Sequence, residues 1–397
     1  MALGEPTHLV GSKSTRLSLL LQIVPVVVVL FTCSAASASM CGCEHRYALL
    51  MNLYTATNGA GWYNKAGWNS ANCSTDWFGV TCSGADVTSV VLNENNLVGT
   101  LPASWWNMTN LQVLTLYLNT LAGSLPPQWS NMSGLQELYL YNNKITGTLP
   151  AAWGSMKQLQ RIELEINLFS GTLPTEWSSM TALRTLAVYL NKLTGTLPSS
   201  YSTMTDMENL QLYFNTLTGT LPDSWSSMTR LQLLLLNSNN LSGTLPSLWS
   251  NMPSLQQLRL DDNSFTGTLP ATWQSWSGMM YISLRGNSLN GTIPASWSTM
   301  TVLSYLYLSY NSFSGSLPSS WSNMIAMQNL NLQSNSLSGS LPSSWSSMTA
   351  LQTLYLSINR FTGSLPSSWS SMTLMVDLDA SVNSLSGTLP ASWQSMT

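Results

Sequence analysis

The sequence predicts an α/β repeat solenoid. It would be a curved right-handed superhelix with a parallel β-sheet on its concave face, short 3-10 or irregular turns on its convex face, and a cysteine-containing N-terminal cap. Three observations predict it. Thirteen prolines recur from Pro102 to Pro390 at a strict spacing of 24 residues. Before each proline, glycine stands three residues back (Gly99 to Gly387) and asparagine seven residues back (Asn95 to Asn383). After each proline, Trp follows at three residues and Met at six, replaced once each, by Tyr201 and by Trp276. Self-similarity at a period of this size marks a stack of small units, each burying its neighbour.

The composition agrees and excludes several functions. Charged residues make up 7% of the 397, against about 25% in ordinary soluble domains, while the apolar fraction is 44%. A net charge of -3 provides no basic surface for nucleic acid, and two histidines leave little scope for acid–base chemistry or His-rich metal sites. No cofactor, metal-ligand spacing, phosphate loop or Ser/His/Asp set is legible, so a non-enzymatic role is expected. A basic amphipathic helix that would lie on a membrane is likewise missing from the pattern.

Residues 1–38 read as a secretory signal. Lys13 and Arg16 precede the apolar run Leu17 to Phe31, and Ala35-Ala36-Ser37-Ala38 supplies a small-residue cleavage site after Ala38. The run is short for a span and Pro25 interrupts it; an uncleaved signal anchor is the alternative, with the repeats facing outward in both cases.

One repeat unit reads L-x-x-L-x-L-x-x-N-x-L-x-G-x-L-P-x-x-W-x-x-M-x-x, and residues 135–157 are a clear copy. The Leu138 and Leu140 pair has period two, so both point to one face of a short strand. Thirteen such strands at about 4.8 Å each extend on the order of 60 Å. Leu149, Trp153, Met156 and Leu159 suit a helical or 3-10 return on the opposite side, and proline fixes φ at its start. Glycine permits close backbone approach. A recurring asparagine in such a stack belongs inside, with its amide bonded to the backbone of adjacent turns. The Trp and Met columns read as core, because their single replacements preserve size and apolarity.

This pattern resembles the leucine-rich repeat of the 24-residue plant type, over residues 87–397 as thirteen repeats with no C-terminal cap. Residues 39–86 resemble that family's N-terminal cap: Glu44-His45-Arg46-Tyr47-Ala48-Leu49-Leu50, Trp68-Asn69, and Trp77-Phe78-Gly79-Val80-Thr81-Cys82. The resemblance implies a short helix and strand sealing the first coil. Loss of the signal leaves four cysteines, which in an exported chain imply disulfides. Cys73–Cys82 is the expected pair, with Cys41 and Cys43 bridging elsewhere or one left free. Sequons at Asn72, Asn107, Asn131, Asn240 and Asn290 are compatible with glycosylation. The Trp-x-x-Met step, with runs such as Ser-Ser-Trp-Ser-Ser-Met-Thr, is most similar to the promastigote surface antigens of trypanosomatids and related kinetoplastids. That resemblance implies a secreted or surface-displayed protein of adhesion or host interaction.

Function is then expected where coils differ. The strand positions flanking the L-x-L pair hold ten of the fourteen tyrosines: Tyr117, Tyr139, Tyr141, Tyr189, Tyr213, Tyr281, Tyr305, Tyr307, Tyr310 and Tyr355. Two charge clusters join them, Glu137, Arg161, Glu163 and Glu165, then Arg259, Asp261, Asp262 and Arg285. Tyr and Arg dominate interface hot spots, so these residues form the candidate concave binding site for a protein or glycan. The alternatives are the ligand-binding ectodomain of a plant-like receptor, or an inhibitor of an extracellular enzyme. A membrane link would come only from a signal anchor or from an anchor beyond Thr397.

Overall fold

The computed structural model describes residues 46–68, 77–83 and 86–395, all within one compact unit. The expected signal, residues 1–38, and the cap cysteines Cys41, Cys43 and Cys73, together with His45, Asn69 and Asn72, lie outside the described residues. Cys82 is disulfide-bonded.

The cap begins with an α-helix, Tyr47–Ala56, whose Leu50 and Leu53 are buried. Trp62, Trp68 and Trp77 pack edge-on and tilted beneath it, with ring centroids 4.8–4.9 Å apart. A strand, Val80–Ser83, runs antiparallel to Asp86–Val91 and starts the main sheet. The cap is tied to the first coil by polar contacts as well as packing. Arg46 pairs with Asp86 at 2.9 Å and donates to the Asn107 carbonyl, while the Trp105 indole donates to the Leu49 carbonyl at 2.7 Å. A helix and a strand thus lie against the first coil.

From Asp86–Val91 to Asp377–Asp379 the sheet is parallel, one three-residue strand per coil after the first. Its register steps by 24 residues, as Leu114 to Leu138 to Ile162 shows. Each proline, at φ near -70°, leads into a five-residue 3-10 turn such as Ala151–Ser155. Tryptophan is buried within that turn, and its indole N–H reaches the proline carbonyl of the coil before, Trp153 to Pro126 at 3.1 Å. Tyr201 makes the same bond to Pro174 through its hydroxyl at 3.2 Å, and Trp276 adds a second, to the Trp249 carbonyl. Tyr201 thus keeps a donor as well as bulk, and Trp276 adds a donor where the other coils have methionine.

The asparagine column is internal, as expected. Asn167 accepts from the Ile145 N–H at 3.0 Å and donates to the Leu140 and Leu164 carbonyls at 3.0 and 3.1 Å. One amide therefore satisfies backbone groups in its own coil and in the coil before it, where strand geometry alone leaves them unpaired.

Between asparagine and proline the structure adds an element where only irregular turns were expected. The x-Gly-x segments form further parallel sheets: eight strands from Thr218–Gly219 to Ser384–Leu385, and two-stranded pairs nearer the cap. Glycine is needed there. Gly195 has φ +78°, and a Cβ would lie 2.6 Å from the Thr172 methyl of the preceding coil. Burial of each coil depends on the coil stacked over it: Leu341 is 5% exposed, its equivalent Leu389 in the last described coil 74%.

Candidate functional site

In Glu137–Tyr139 the central Leu138 is buried, so Glu137 and Tyr139 face the concave side. Parallel register stacks equivalent positions about 4.8 Å apart in columns along the sheet. The column two residues before the asparagines reads Tyr117, Tyr141, Glu165, Tyr189, Tyr213. Tyr117 and Tyr141 stack with centroids 4.3 Å apart and planes within 7°, and Tyr189 and Tyr213 stack at 4.2 Å and 10°. In this column Glu165 stands in the coil between the two pairs.

The first charge cluster comes together around it. The Tyr139 hydroxyl donates to Glu137 Oε2 at 2.8 Å, and Arg161 Nη1 donates to Glu163 Oε1 at 2.9 Å. Glu165 is 6% exposed; Tyr189 reaches its Oε1 at 3.5 Å, and its Oε2 is buried without a hydrogen-bond partner. Burial, then repulsion from Glu163, pushes this carboxyl up to about 8, against the opposing hydrogen bonds from its own backbone and Tyr189. Burial likewise raises the Tyr139, Tyr141 and Tyr189 hydroxyls, so they stay neutral donors.

The second cluster also assembles, by different contacts. The Arg259 guanidinium lies over the Tyr281 ring at 4.5 Å and that of Arg285 over Tyr310 at 5.1 Å. Arg285 approaches Asp262 at 3.7 Å with both side chains about half exposed, a contact of little net energy. Asp261 is raised by burial despite a hydrogen bond from Ser283. Tyr305 and Tyr307 lean on Tyr281 at 5.8 and 5.5 Å. Tyr355 stands apart, donating to Asp377 at 2.6 Å.

At the position just before each asparagine the sequence reading takes Asp262 and Tyr310 and passes over the apolar residues. This residue takes a left-handed backbone conformation: Leu118, Ile166, Leu190 and Phe214 have φ of 50–55°. These large side chains are 40–50% exposed and form an apolar rail beside the tyrosine pairs. A β-branched Ile166 at positive φ is costly. The available signal was an apolar residue at a position outside the L-x-L core, followed directly by the inward asparagine.

Asn107, Asn131, Asn240 and Asn290 are exposed, at the 3-10 turns and on the x-Gly-x strands rather than on the concave sheet. Among the described residues no group of three His, Cys, Asp or Glu could hold a metal ion, and no helix is long and apolar enough to cross a membrane.

Leucine-rich repeat models match residues 253–313 and, as single repeats, residues 134–156, 230–252, 326–348 and 350–372. A search of curated proteins by sequence found no match. Similar solved structures include the plant peptide hormone receptor RGFR1 in complex with RGF2, at 31% identity and TM-score 0.75, covering 76% of this chain and 48% of that one. The PEPR1–AtPEP1 structure is similar at 27% identity and TM-score 0.79, over 89% of this chain and 54% of that one. The leucine-rich repeat protein LIC12759 of Leptospira interrogans follows at 29% and 0.65, over 77% and 75%. The chain thus spans about half the length of the first two of these structures.

Proposed function

On the premise that this chain is a plant-type leucine-rich repeat solenoid, we propose that it binds a peptide or protein segment along its concave face and catalyses no reaction. The observation that carries this reading is the column of two stacked tyrosine pairs flanked by the exposed Leu118, Ile166, Leu190 and Phe214. Rigid aromatic and apolar surface of this kind binds chains at low entropic cost. RGFR1 is by its title a plant peptide hormone receptor in complex with RGF2, which favours a peptide over a glycan. An exported or surface-displayed location agrees with the N-terminal signal pattern and with Cys82 being disulfide-bonded. Surface-antigen-like adhesion is the finer form of the same reading and rests on the Trp-x-x-Met step. Glycans on the four exposed sequons would leave the concave sheet free.

The test uses peptides selected from a random displayed library on the intact chain. Joint replacement of Tyr139, Tyr141, Tyr189 and Tyr213 by alanine is expected to abolish their binding while far-ultraviolet circular dichroism stays unchanged. Full retention of binding would move the site off this face.

A further inference from the structure

We propose that the position of Glu165 is a docking notch for a ligand arginine, whose guanidinium enters between the two tyrosine pairs and bonds the Glu165 carboxylate. This inference rests on the concave-face reading and names the chemistry at its centre.

Three carboxylates lie in this part of the sheet. Glu137 is engaged by the Tyr139 hydroxyl and Glu163 by Arg161. The third, Glu165, keeps its Oε2 buried with no partner. Buried polar atoms are almost always satisfied, and an orphan in a native site calls for a missing donor. A cation is the donor that, on entry, also favours the ionised form of this buried carboxyl.

The surroundings select its shape. Tyr141 and Tyr189 are two coils apart, about 9–10 Å. Each is already stacked on its far side, on Tyr117 and on Tyr213. The sides of the two pairs turned towards each other lie on either side of the Glu165 coil, where a flat group that stacks on a ring needs about 3.5 Å. A guanidinium is flat, stacks on aromatic faces and meets a carboxylate with two donors, whereas an ammonium is compact and strongly hydrated. In the free protein the notch is closed to water, and Tyr189, which reaches Glu165 at 3.5 Å, is the ring that must yield on entry. The same protein already places guanidinium groups over tyrosine rings at Arg259 and Arg285, so the contact is compatible with this surface.

The experiment measures fluorescence anisotropy of labelled hexa-arginine, hexa-lysine and hexa-glutamate peptides on the full chain, on Glu165→Gln and on Asp223→Asn. Asp223 is exposed in a convex 3-10 turn and controls for net charge. Hexa-arginine is expected to bind more tightly than hexa-lysine and to lose about tenfold or more with Glu165→Gln, while Asp223→Asn stays within about twofold. Equal binding to Glu165→Gln, an equal loss with Asp223→Asn, or no preference for arginine over lysine would overturn the proposal. Melting of Glu165→Gln checks the fold. The library-selected peptides separate the two readings: if they require the four tyrosines but tolerate Glu165→Gln, the concave face stands and the arginine notch falls. If they require neither, both fall.

Discussion

The asparagine and tryptophan columns and the tyrosine columns occupy the same coils yet behave oppositely. Asparagine recurs thirteen times without exception, and tryptophan twelve times with one tyrosine. Each closes hydrogen bonds onto the neighbouring coil, so a change in one coil leaves a buried group in another unpaired. The concave positions close few such bonds and differ from coil to coil: Tyr189 and Tyr213 correspond to Ser309, Gln333 and Ser357 further on. Sameness here is enforced by polar satisfaction, and variation marks the surface released from it.

The sharpest way to break that contrast is inside the stack. Trp153→Ala removes a fully buried ring and the donor to Pro126, and should cost about 3–5 kcal/mol, read as a fall in urea midpoint. Asn167→Leu keeps volume but orphans the Ile145 N–H and two carbonyls, for about 2–4 kcal/mol. Tyr201→Phe should cost about 1–2 kcal/mol by orphaning the Pro174 carbonyl, and Tyr201→Trp should be tolerated. A harmless Tyr201→Phe would mean that bulk alone governs the column.

On the concave side the expected stability effects are smaller and depend on pH. Glu165 titrates near 8 when folded and at about 4.3 when unfolded. Between those values the unfolded chain binds fewer protons than the folded one, so stability falls as pH rises through the window. Glu163, Tyr141, Tyr189 and Tyr213 surround the group; the tyrosines, all raised, remain neutral throughout. Glu165→Gln should match the wild type near pH 4 and exceed it by about 1–3 kcal/mol near pH 8. Thermal melts at the two ends of the window check this; parallel profiles would contradict the buried acid. Smallest of all, Ile166→Gly should stabilise by about 0.5–1 kcal/mol by relieving positive φ, while weakening peptide binding through the lost rail.

Much of the architecture was legible because its determinants are local and repeated. The Leu138 and Leu140 alternation specifies the strand face, Pro150 starts the turn, and Asn143 declares itself internal by never changing. What escaped was set by contacts between coils. A period read along one chain does not show that Thr172 caps Gly195, so the x-Gly-x strands looked irregular. Nor does size matching show that Tyr201 must donate to Pro174. At the site, tyrosine and charge columns were visible as exposed strand positions, but the pairing of rings and the isolation of Glu165 depend on which neighbours stack. The Leu118 and Ile166 rail was hidden because its left-handed backbone is one that sequence propensity would deny to such residues.

The most direct test is a hydroxyl-radical footprint of the intact chain with and without a saturating library-selected peptide. Tyr63, in the cap and 80% exposed, serves as the internal reference. Protection of Tyr117, Tyr141, Tyr189 and Tyr213 with Tyr63 and the convex Leu248 unchanged is the expected result. Protection of Leu248 or Tyr63 with the four concave tyrosines still fully labelled would contradict it.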